Sequence, residues 1–274
     1  SEMCIRDSNY PDVTPERDGK RLIVQPNTFN MYCHREPRFY LTVVWNGQWF
    51  KWENRNTNFL YGQPDGGPTH DAPQNGYLNR SRVSLDYIPR DNNHPYRPAI
   101  IFRMAEAYLS YAEALNESSE RMSHKQEILD NLNKIRHRAG IAEYGTGTDE
   151  NGFTRIKINF SDQKEVRRLI HKERRVEFVG EGVRYHDLRR WKTAHYGIGN
   201  LNEQGENPDW GVNGPDYGMN YYGTEYTDQG DNAFFKRTKY MDRVYPRKFY
   251  WYPIHQSEID KDPTLVQGPF WLGE

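Results

Sequence analysis

The sequence predicts a mainly α-helical fold, in which helical hairpins carry short β-hairpins and long ordered loops. Two observations support the helices. Apolar residues recur every three or four positions along three segments, and a capping residue or a terminating glycine bounds two of these segments. A third observation supports the loops, because residues 54–98 are rich in Gly, Pro, Asn and Asp, and residues 193–248 are rich in aromatic residues, Gly and Asn but poor in aliphatic ones.

The first two predicted helices form one hairpin. The first begins near Pro98, and its apolar stripe recurs at spacings of three and four residues: Ile101, Ala105, Tyr108, Ala112 and Leu115. The second runs from about Ser123 to a stop at Gly140, and its stripe consists of Ile128, Leu132, Ile135 and Ala139. Two antiparallel helices of this kind are the unit of a tetratricopeptide-like array. They need neighbours, because one hairpin cannot bury its apolar face alone.

A third helix is predicted to begin at Asp162, whose side chain can accept hydrogen bonds from the free amides of the first turn. Glu165 completes a capping-box pattern, and apolar residues follow at helical spacing over 166–170. A fourth, shorter helix is predicted to start near Arg184, after two glycines that end the third.

The inward stripe of this third helix continues with two carboxylates, Glu173 and Glu177. Buried carboxylates are costly unless they are paired, so two interpretations compete. One is a pair of catalytic acids tuned by burial, and the other is an ion-pair network that fixes how two helices meet. The network is favoured, because five arginines lie close in sequence and would keep both carboxylates ionised: Arg174, Arg175, Arg184, Arg189 and Arg190.

A short β-hairpin is predicted before the helices. Residues 39–44 form one strand, Asn46-Gly47 is a strong two-residue turn signal, and residues 48–52 form the returning strand. In that register Trp49 lies on the less apolar face, so it either takes an exposed role or covers the rim of the core. A further short strand is predicted over residues 81–88.

The composition excludes several classes of protein. The formal net charge of −1 argues against a nucleic-acid-binding protein, which needs a basic surplus to neutralise phosphates. No apolar run approaches the roughly 20 residues of a membrane-spanning helix. The two cysteines, Cys4 and Cys33, suggest no metal site, and the acids over 228–231 favour a solvated turn over a calcium site. We therefore predict neither a metal nor a cofactor.

Catalytic motifs are missing from the sequence. It contains no Gly-x-Ser-x-Gly, no phosphate-binding Gly-Lys-Ser/Thr loop and no His-Glu-x-x-His. What remains is a polar loop surface in a chain of which 14% of the residues are aromatic. Such a surface suits sugars, because an aromatic ring covers their C–H faces while amide and charged side chains bind their hydroxyl groups.

Several motifs carry a family resemblance. Three lie close together: Glu-Arg-Arg-Val-Glu-Phe at 173–178, Glu-Gly-Val-Arg-Tyr at 181–185 and Asp-Leu-Arg-Arg-Trp at 187–191. They are similar to the signature of the SusD/RagB family. Residues 103–117 and 133–140 resemble two helical elements of that family, and residues 36–40 resemble its Asp-Pro-Arg-Phe element with Glu36 in place of aspartate.

This resemblance implies a SusD-like fold and a cellular location. Members of the family are outer-membrane lipoproteins of Gram-negative bacteria, and they capture glycans or other nutrients and help deliver them to a TonB-dependent transporter of the SusC type. The resemblance thus implies a lipid-anchored protein, exposed at the surface of the outer membrane. It also implies that residues 1–37 are an irregular lead-in that ends a missing N-terminal half, which holds the signal peptide and the lipid-bearing cysteine. Residues 38–274 are then the C-terminal domain.

We therefore expect a non-catalytic protein that binds glycans. The ligand-stacking candidates are Trp49, Trp210, Tyr217, Tyr221 and Tyr222. Two other classes stay open. One is a glycoside hydrolase that uses loop carboxylates, and the other is a helical-repeat scaffold that binds a protein partner.

Overall fold

The computed structural model describes residues 24, 27–50, 53–81, 83, 91–92, 94–96, 98–197 and 211–272. Its α-helices are α1 (Pro37–Thr42), α2 (Met104–Glu117), α3 (Lys125–Ala139), α4 (Gln163–Glu177), α5 (Val183–Arg190) and α6 (Gln256–Lys261). Its strands are β1 (Val43–Trp45), β2 (Trp49–Phe50), β3 (Arg55–Asn56), β4 (Tyr77–Asn79), β5 (Gly214–Gly218) and β6 (Thr238–Arg243). Within the described residues the strands form only two-stranded sheets, so the prediction of a mainly helical fold is confirmed. The strand predicted over 81–88 lies mostly outside the described residues.

The chain divides into two compact units. Unit 1 comprises Ser1–Glu181 and Gly218–Thr238, and it contains α1 to α4 and β1 to β4. Unit 2 comprises Gly182–Tyr217 and Lys239–Glu274, and it contains α5, α6 and most of the β5–β6 pair. In the described part of the chain, no helix is both long enough and apolar enough to cross a membrane.

In unit 1, α2 packs against both α3 and α4. Lys134 lies over the Tyr108 ring, 4.6 Å from its centroid, and Glu127 accepts a hydrogen bond from the Tyr111 hydroxyl. Tyr111 follows Tyr108 along α2, whereas its partner Glu127 precedes Lys134 along α3, so the two helices run antiparallel. The hydrogen bonds between α2 and α4 also join residues in opposite order along the two helices, so this pair is antiparallel as well. The predicted helical hairpin is therefore confirmed, and α4 is one of the neighbours that it needs.

The predicted stripe of α3 is confirmed, since all four of its apolar residues are buried: Ile128, Leu132, Ile135 and Ala139. Gly140 ends the helix with a φ of 68°, in the left-handed region where glycine carries no steric penalty.

The predicted start of α2 near Pro98 is wrong. The helix begins at Met104, and Ile101 is 97% exposed rather than part of the buried stripe. Arg103 keeps an extended backbone, and its guanidinium is bonded to Glu177, the last residue of α4, and to Glu181, which follows that helix. The helix therefore starts only after this anchored arginine.

Helix α4 begins as predicted. The Asp162 carboxylate accepts hydrogen bonds from the amides of Lys164 and Glu165, at 2.9 and 3.2 Å. The Glu165 carboxylate accepts a hydrogen bond from the amide of Asn159 at 3.4 Å. In a complete capping box it would accept from the amide of the capping residue Asp162, so only half of the predicted box forms. The shorter helix predicted near Arg184 is α5.

The predicted pairing of the hairpin over residues 39–52 is wrong. Strand β1 pairs with β4, with Val43 opposite Asn79, and β2 pairs with β3, with Trp49 opposite Asn56. Residues 37–42 form α1 instead of a strand. Pro37 favours this helix, because its fixed φ suits the first helical position.

The turn at Asn46-Gly47 does form, but residues 57–59 fold back against it in place of β2. The buried Asn46 side chain accepts a hydrogen bond from the Phe59 amide at 2.8 Å. The Thr57 hydroxyl donates to the carbonyl oxygen of Trp45 at 2.6 Å, and Gly47 donates to the carbonyl oxygen of Thr57 at 2.9 Å. Because these bonds use the polar groups at the turn, β2 does not pair with β1 and pairs with β3 instead.

The core of unit 1 is built on aromatic rings. Trp45 is fully buried and stacks on Phe39 at a centroid distance of 5.4 Å, with the edge of Tyr40 at 5.4 Å. Phe234 is buried in the same cluster, so the loop over residues 219–235 is held by the core. Unit 2 has a smaller core around Leu188, Ala194 and Tyr245.

Candidate functional site

The two inward carboxylates of α4, Glu173 and Glu177, belong to a network of ion pairs inside unit 1. Arg38 Nη1 lies 2.6 Å from Glu173 and 3.0 Å from Glu177, and the other nitrogens of Arg38 hold Glu36 at 2.8 and 2.9 Å. Arg136 donates to the second carboxylate oxygen of Glu173 at 2.9 Å. Both oxygens of this buried carboxylate are therefore bound by arginine.

Glu177 receives two further arginines on its second oxygen, Arg103 and Arg138. Arg103 also donates to the Glu177 carbonyl oxygen at 2.8 Å and to both carboxylate oxygens of Glu181, at 2.9 and 2.8 Å. The network thus joins α4 to α1, to α3 and to the residue that precedes α2.

These arginines differ from the ones that the sequence predicts. The prediction chose arginines close to the acids, whereas the partners lie between 37 and 139 residues away along the chain. Arg174 follows Glu173 directly and therefore lies on a different side of the helix, where it donates to the Ser110 hydroxyl at 3.0 Å. In unit 2, Arg189 donates to the carbonyl oxygen of Tyr250 at 2.7 Å.

The charges of the network decide how its carboxylates titrate. Burial alone would raise the pKa of Glu173, but Arg38 and Arg136 outweigh it and hold the pKa below its ordinary value of 4.5. Burial alone would likewise raise the pKa of Glu177, but hydrogen bonds from Arg138 and Arg103 hold this pKa below 4.5. Burial raises the pKa of Glu36, and its pairing with Arg38 opposes this shift only in part.

A general acid needs a raised pKa and room for a substrate beside it. Glu173 and Glu177 have lowered pKa values, and their side chains are almost fully buried against arginines. The geometry therefore supports the ion-pair network and gives these two residues no catalytic role.

A second feature of unit 1 has the geometry of a binding surface. Tyr61, Tyr221 and Tyr222 form a group of three contacting rings, which we call the tyrosine cluster. Their ring centroids are 5.1 Å apart for Tyr221 and Tyr222, 5.5 Å for Tyr61 and Tyr222, and 6.1 Å for Tyr61 and Tyr221. Two members of the cluster, Tyr221 and Tyr222, are candidates predicted from the sequence. The third, Tyr61, lies 160 positions upstream of Tyr221 and is not among those candidates.

Two loops build the tyrosine cluster and are joined by backbone hydrogen bonds. The Tyr61 amide donates to the carbonyl oxygen of Gly223 at 2.8 Å, and the Tyr221 hydroxyl donates to the carbonyl oxygen of Thr69 at 3.4 Å. Gly67 packs directly against the Tyr221 ring, since a Cβ atom on this glycine would lie 2.6 Å from the ring. The glycine-rich turn beside Tyr61 is therefore needed to let the two loops meet.

The ring geometry makes the cluster a platform and not a cage. The planes of Tyr221 and Tyr222 are 89° apart, and those of Tyr61 and Tyr222 are 45° apart. The centroids are too close together to admit a group between the rings; Tyr221 meets both other rings edge to face, and Tyr61 and Tyr222 are tilted against each other. Tyr222 is the outermost ring at 70% exposure, and Tyr61 and Tyr221 support it from behind.

The remaining candidates lie elsewhere. Trp49 is partly buried in β2, and Tyr217 is 41% exposed in β5 of unit 2. Trp210 lies outside the described residues. The role of all five candidates stays a prediction. Tyr61 is not among the residues predicted from the sequence, and the available signal for it is its place next to the run Gly-Gln-Pro-Asp-Gly-Gly.

A separate groove of about 920 Å³ lies in unit 1 between α3 and residues 143–160. Glu143, which lines it, is buried and binds Arg155 at 2.8 Å and His137 at 3.3 Å. Asp149 folds the nearby loop by accepting hydrogen bonds from three backbone amides. None of the four described ligand-stacking candidates lines this groove.

Comparison with known proteins connects this architecture to one family. A model of the SusD family matches residues 12–271. SusD-like protein P25 of Formosa agariphila is 32% identical over 109 residues, which are 40% of this chain and 18% of that protein. SusD-like protein P38 of the same organism is 32% identical over 103 residues, or 38% of this chain and 19% of that protein.

Solved structures share the fold. A SusD-like protein (BF3747) of Bacteroides fragilis superposes with a TM-score of 0.61 at 27% identity, over 89% of this chain and 40% of that one. A SusD-like carbohydrate binding protein (BF0978) of Bacteroides fragilis gives a TM-score of 0.54 at 24% identity, over 86% of this chain and 42% of that one. The chain thus spans less than half the length of the relatives that it matches. The predicted SusD-like fold is confirmed, and since the family model covers nearly the whole sequence, the chain belongs to the SusD family.

Proposed function

We propose that this protein binds glycans at the tyrosine cluster without altering them. The observation that carries the proposal is the 70% exposed ring of Tyr222, which Tyr61 and Tyr221 support from behind. An exposed aromatic ring covers the C–H face of a pyranose, and it does so at low entropic cost when neighbouring rings already fix its orientation.

Polar side chains of the same two loops supply partners for hydroxyl groups. Asn58 and Gln63 are joined by a side-chain hydrogen bond at 3.3 Å, and Asn220 accepts from the Tyr222 amide at 3.1 Å. Amides both donate and accept, as sugar hydroxyl groups do. Membership of the SusD family and the likeness in fold to a SusD-like carbohydrate binding protein support the same reading.

The test is calorimetric titration of the full-length protein with oligosaccharides that a glycan panel selects. Tyr222→Ala removes the platform and should weaken binding about tenfold, the effect of losing roughly 1.4 kcal/mol of contact. Tyr96→Ala is the matched control, since Tyr96 is 91% exposed and lies outside the cluster. Equal affinities for wild type, Tyr222→Ala and a Tyr61→Ala/Tyr222→Ala double variant would remove the cluster from the site.

We also propose that the protein is lipid-anchored at the outer-membrane surface and passes its ligand to a TonB-dependent transporter of the SusC type. Family membership supports this proposal. Affinity purification of the full-length protein from detergent-solubilised outer membranes should recover such a transporter. Recovery of the protein only from the cytoplasmic fraction would contradict it.

The groove beside α3 favours a second candidate function, a helical-repeat scaffold for a protein partner. It runs along α3 of the tetratricopeptide-like hairpin, and helical-repeat proteins bind partners in concave surfaces that their helices line. Lys134→Ala, within the groove, separates the two candidates. It should leave glycan affinity unchanged if the tyrosine cluster is the site, and weaken capture of the partner if the groove is.

A further inference from the structure

The two loops that build the tyrosine cluster are strongly acidic. Residues 58–76 and 219–237 are all described, and they carry five carboxylates against two basic side chains. The carboxylates belong to Asp65, Asp71, Glu225, Asp228 and Asp231, and the basic residues are Lys236 and Arg237.

Two of these carboxylates have a bound cation. Asp65 accepts two hydrogen bonds from Arg55, at 2.6 and 2.8 Å, so its charge is matched within the loop surface. Asp231 lies 2.9 Å from Lys236, but its side chain is fully exposed to solvent. The lysine of these loops is therefore already engaged by a carboxylate, and an arriving anion would have to compete with Asp231 for it.

The other three carboxylates extend into solvent. Glu225 and Asp228 are exposed, and the Asp71 side chain is 85% exposed, with His70 Nε2 at 3.1 Å. These positions leave a surplus of negative charge on the loops.

The acidic loop is folded back beside the platform. Tyr222 donates its amide to the Asn220 side chain, which in turn donates to the carbonyl oxygen of Asp231 at 3.2 Å. The Glu225 amide donates to the carbonyl oxygen of Asn232 at 3.1 Å. The backbone thus turns back on itself between Tyr222 and Asp231, and Glu225 lies in the same turn.

We infer that the tyrosine cluster selects uncharged saccharides and disfavours glycans that carry uronate or sulfate groups. This inference rests on the proposed function. An anionic sugar on the Tyr222 ring would meet like charges from Glu225, Asp228 and Asp231, and the lysine of these loops, Lys236, is already paired with Asp231. An uncharged sugar meets the same carboxylates only as hydrogen-bond acceptors for its hydroxyl groups.

The experiment compares chemically matched glycans on the full-length protein. We would titrate sulfated carrageenan oligosaccharides against their desulfated counterparts, and oligogalacturonates against their uncharged methyl esters. In each pair the neutral member should bind about tenfold tighter at low salt. The difference should narrow towards about 0.5 M salt, because exposed charges are then screened within a few ångströms.

Charge-removal variants identify the source of the selectivity. Glu225→Gln/Asp228→Asn should raise the affinity for the anionic member about threefold or more and leave that for the neutral member unchanged. Glu258→Gln/Asp260→Asn is the matched control, since it removes the same net charge from exposed positions of α6 in unit 2. It should change neither affinity.

The outcomes separate this inference from the proposed function. Anionic glycans that bind as tightly as neutral ones, and lose that binding in Tyr222→Ala, would overturn the selectivity but keep the site. An unchanged anionic affinity in Glu225→Gln/Asp228→Asn would also overturn it. Failure of every glycan in the panel to bind would overturn both the inference and the proposed function.

Discussion

Arg38 Nη1 lies 2.6 Å from a carboxylate oxygen of Glu173 and 3.0 Å from one of Glu177, so a single guanidinium nitrogen joins two acids that are one helical turn apart. The rest of the guanidinium holds Glu36 in a two-pronged pair. This arrangement places α1 against the inward face of α4, and it determines how the acids of the family motif behave.

We expect Glu177→Gln to lower the free energy of unfolding by about 3–5 kcal/mol, because it leaves several arginines short of a buried partner. Glycan affinity of the folded protein should stay near that of wild type. Denaturant unfolding measures the first quantity and calorimetric titration the second. Glu117→Gln is the control, since its pair with Arg167 is far more exposed than Glu177 and should contribute at most about 1 kcal/mol. Near-native stability together with lost ligand affinity would return Glu177 to the binding site.

Stability should fall in acid, with Glu177 as one source of the loss. The pKa of Glu177 is below its ordinary 4.5 in the folded protein, so its contribution is present above about pH 4.5 and disappears as the pH falls through the lowered value. Glu36 has a raised pKa and acts in the opposite sense, since its protonation favours the folded state. Unfolding between about pH 6 and about pH 3 should therefore show a shallower loss for Glu177→Gln than for wild type. Parallel curves for the two proteins would contradict this assignment.

We expect Gly67→Ala to weaken glycan binding through Tyr221. The added Cβ atom would lie 2.6 Å from the Tyr221 ring, so the ring must shift from its present place in the cluster. A double-mutant cycle isolates this effect. If displacement of the ring is the cause, Gly67→Ala should lower affinity about threefold or more in wild type and have little effect in a Tyr221→Ala background. Equal losses in both backgrounds would show that the backbone of the turn, and not the ring, is responsible.

The cap of α4 should be worth about 1 kcal/mol, within a range of roughly 0.5–2 kcal/mol. Asp162→Ala removes the acceptor for the amides of Lys164 and Glu165, whereas Asp162→Asn keeps an oxygen in the same place. Chemical denaturation should therefore show a loss for the alanine variant and a much smaller one for the asparagine variant. If both variants lost the same free energy, the negative charge at the helix N-terminus would be the main contribution, and not the hydrogen bonds.

The sequence predicts helices best where their signals are local. The stripe of α3 and its glycine stop were found because a helix of 15 residues repeats its pattern over several turns. The cap of α4 was found because all its atoms lie within three residues. The start of α2 was missed because Arg103 is held by Glu177 and Glu181, which no window of sequence around Pro98 contains.

Long-range contacts explain the other differences. The residues before Asn46-Gly47 are rich in strand-forming types, yet Pro37 and the burial of Phe39 and Tyr40 make them α1. Loop composition was enough to select Tyr221 and Tyr222. It could not reveal that Tyr61 contacts both, because that contact depends on how two distant loops fold against each other.

The buried acids of α4 also fix the position of the helix along its own axis. A stripe of leucine and isoleucine alone would pack almost as well after a slide of one turn, about 5.4 Å. Such a slide would take Glu173 out of reach of Arg136 and Glu177 out of reach of Arg103, so only one register satisfies the charges. Replacing the whole network with apolar residues should therefore keep the helix folded but allow it more than one register. On this account the acids of the family motif keep α4 from slipping.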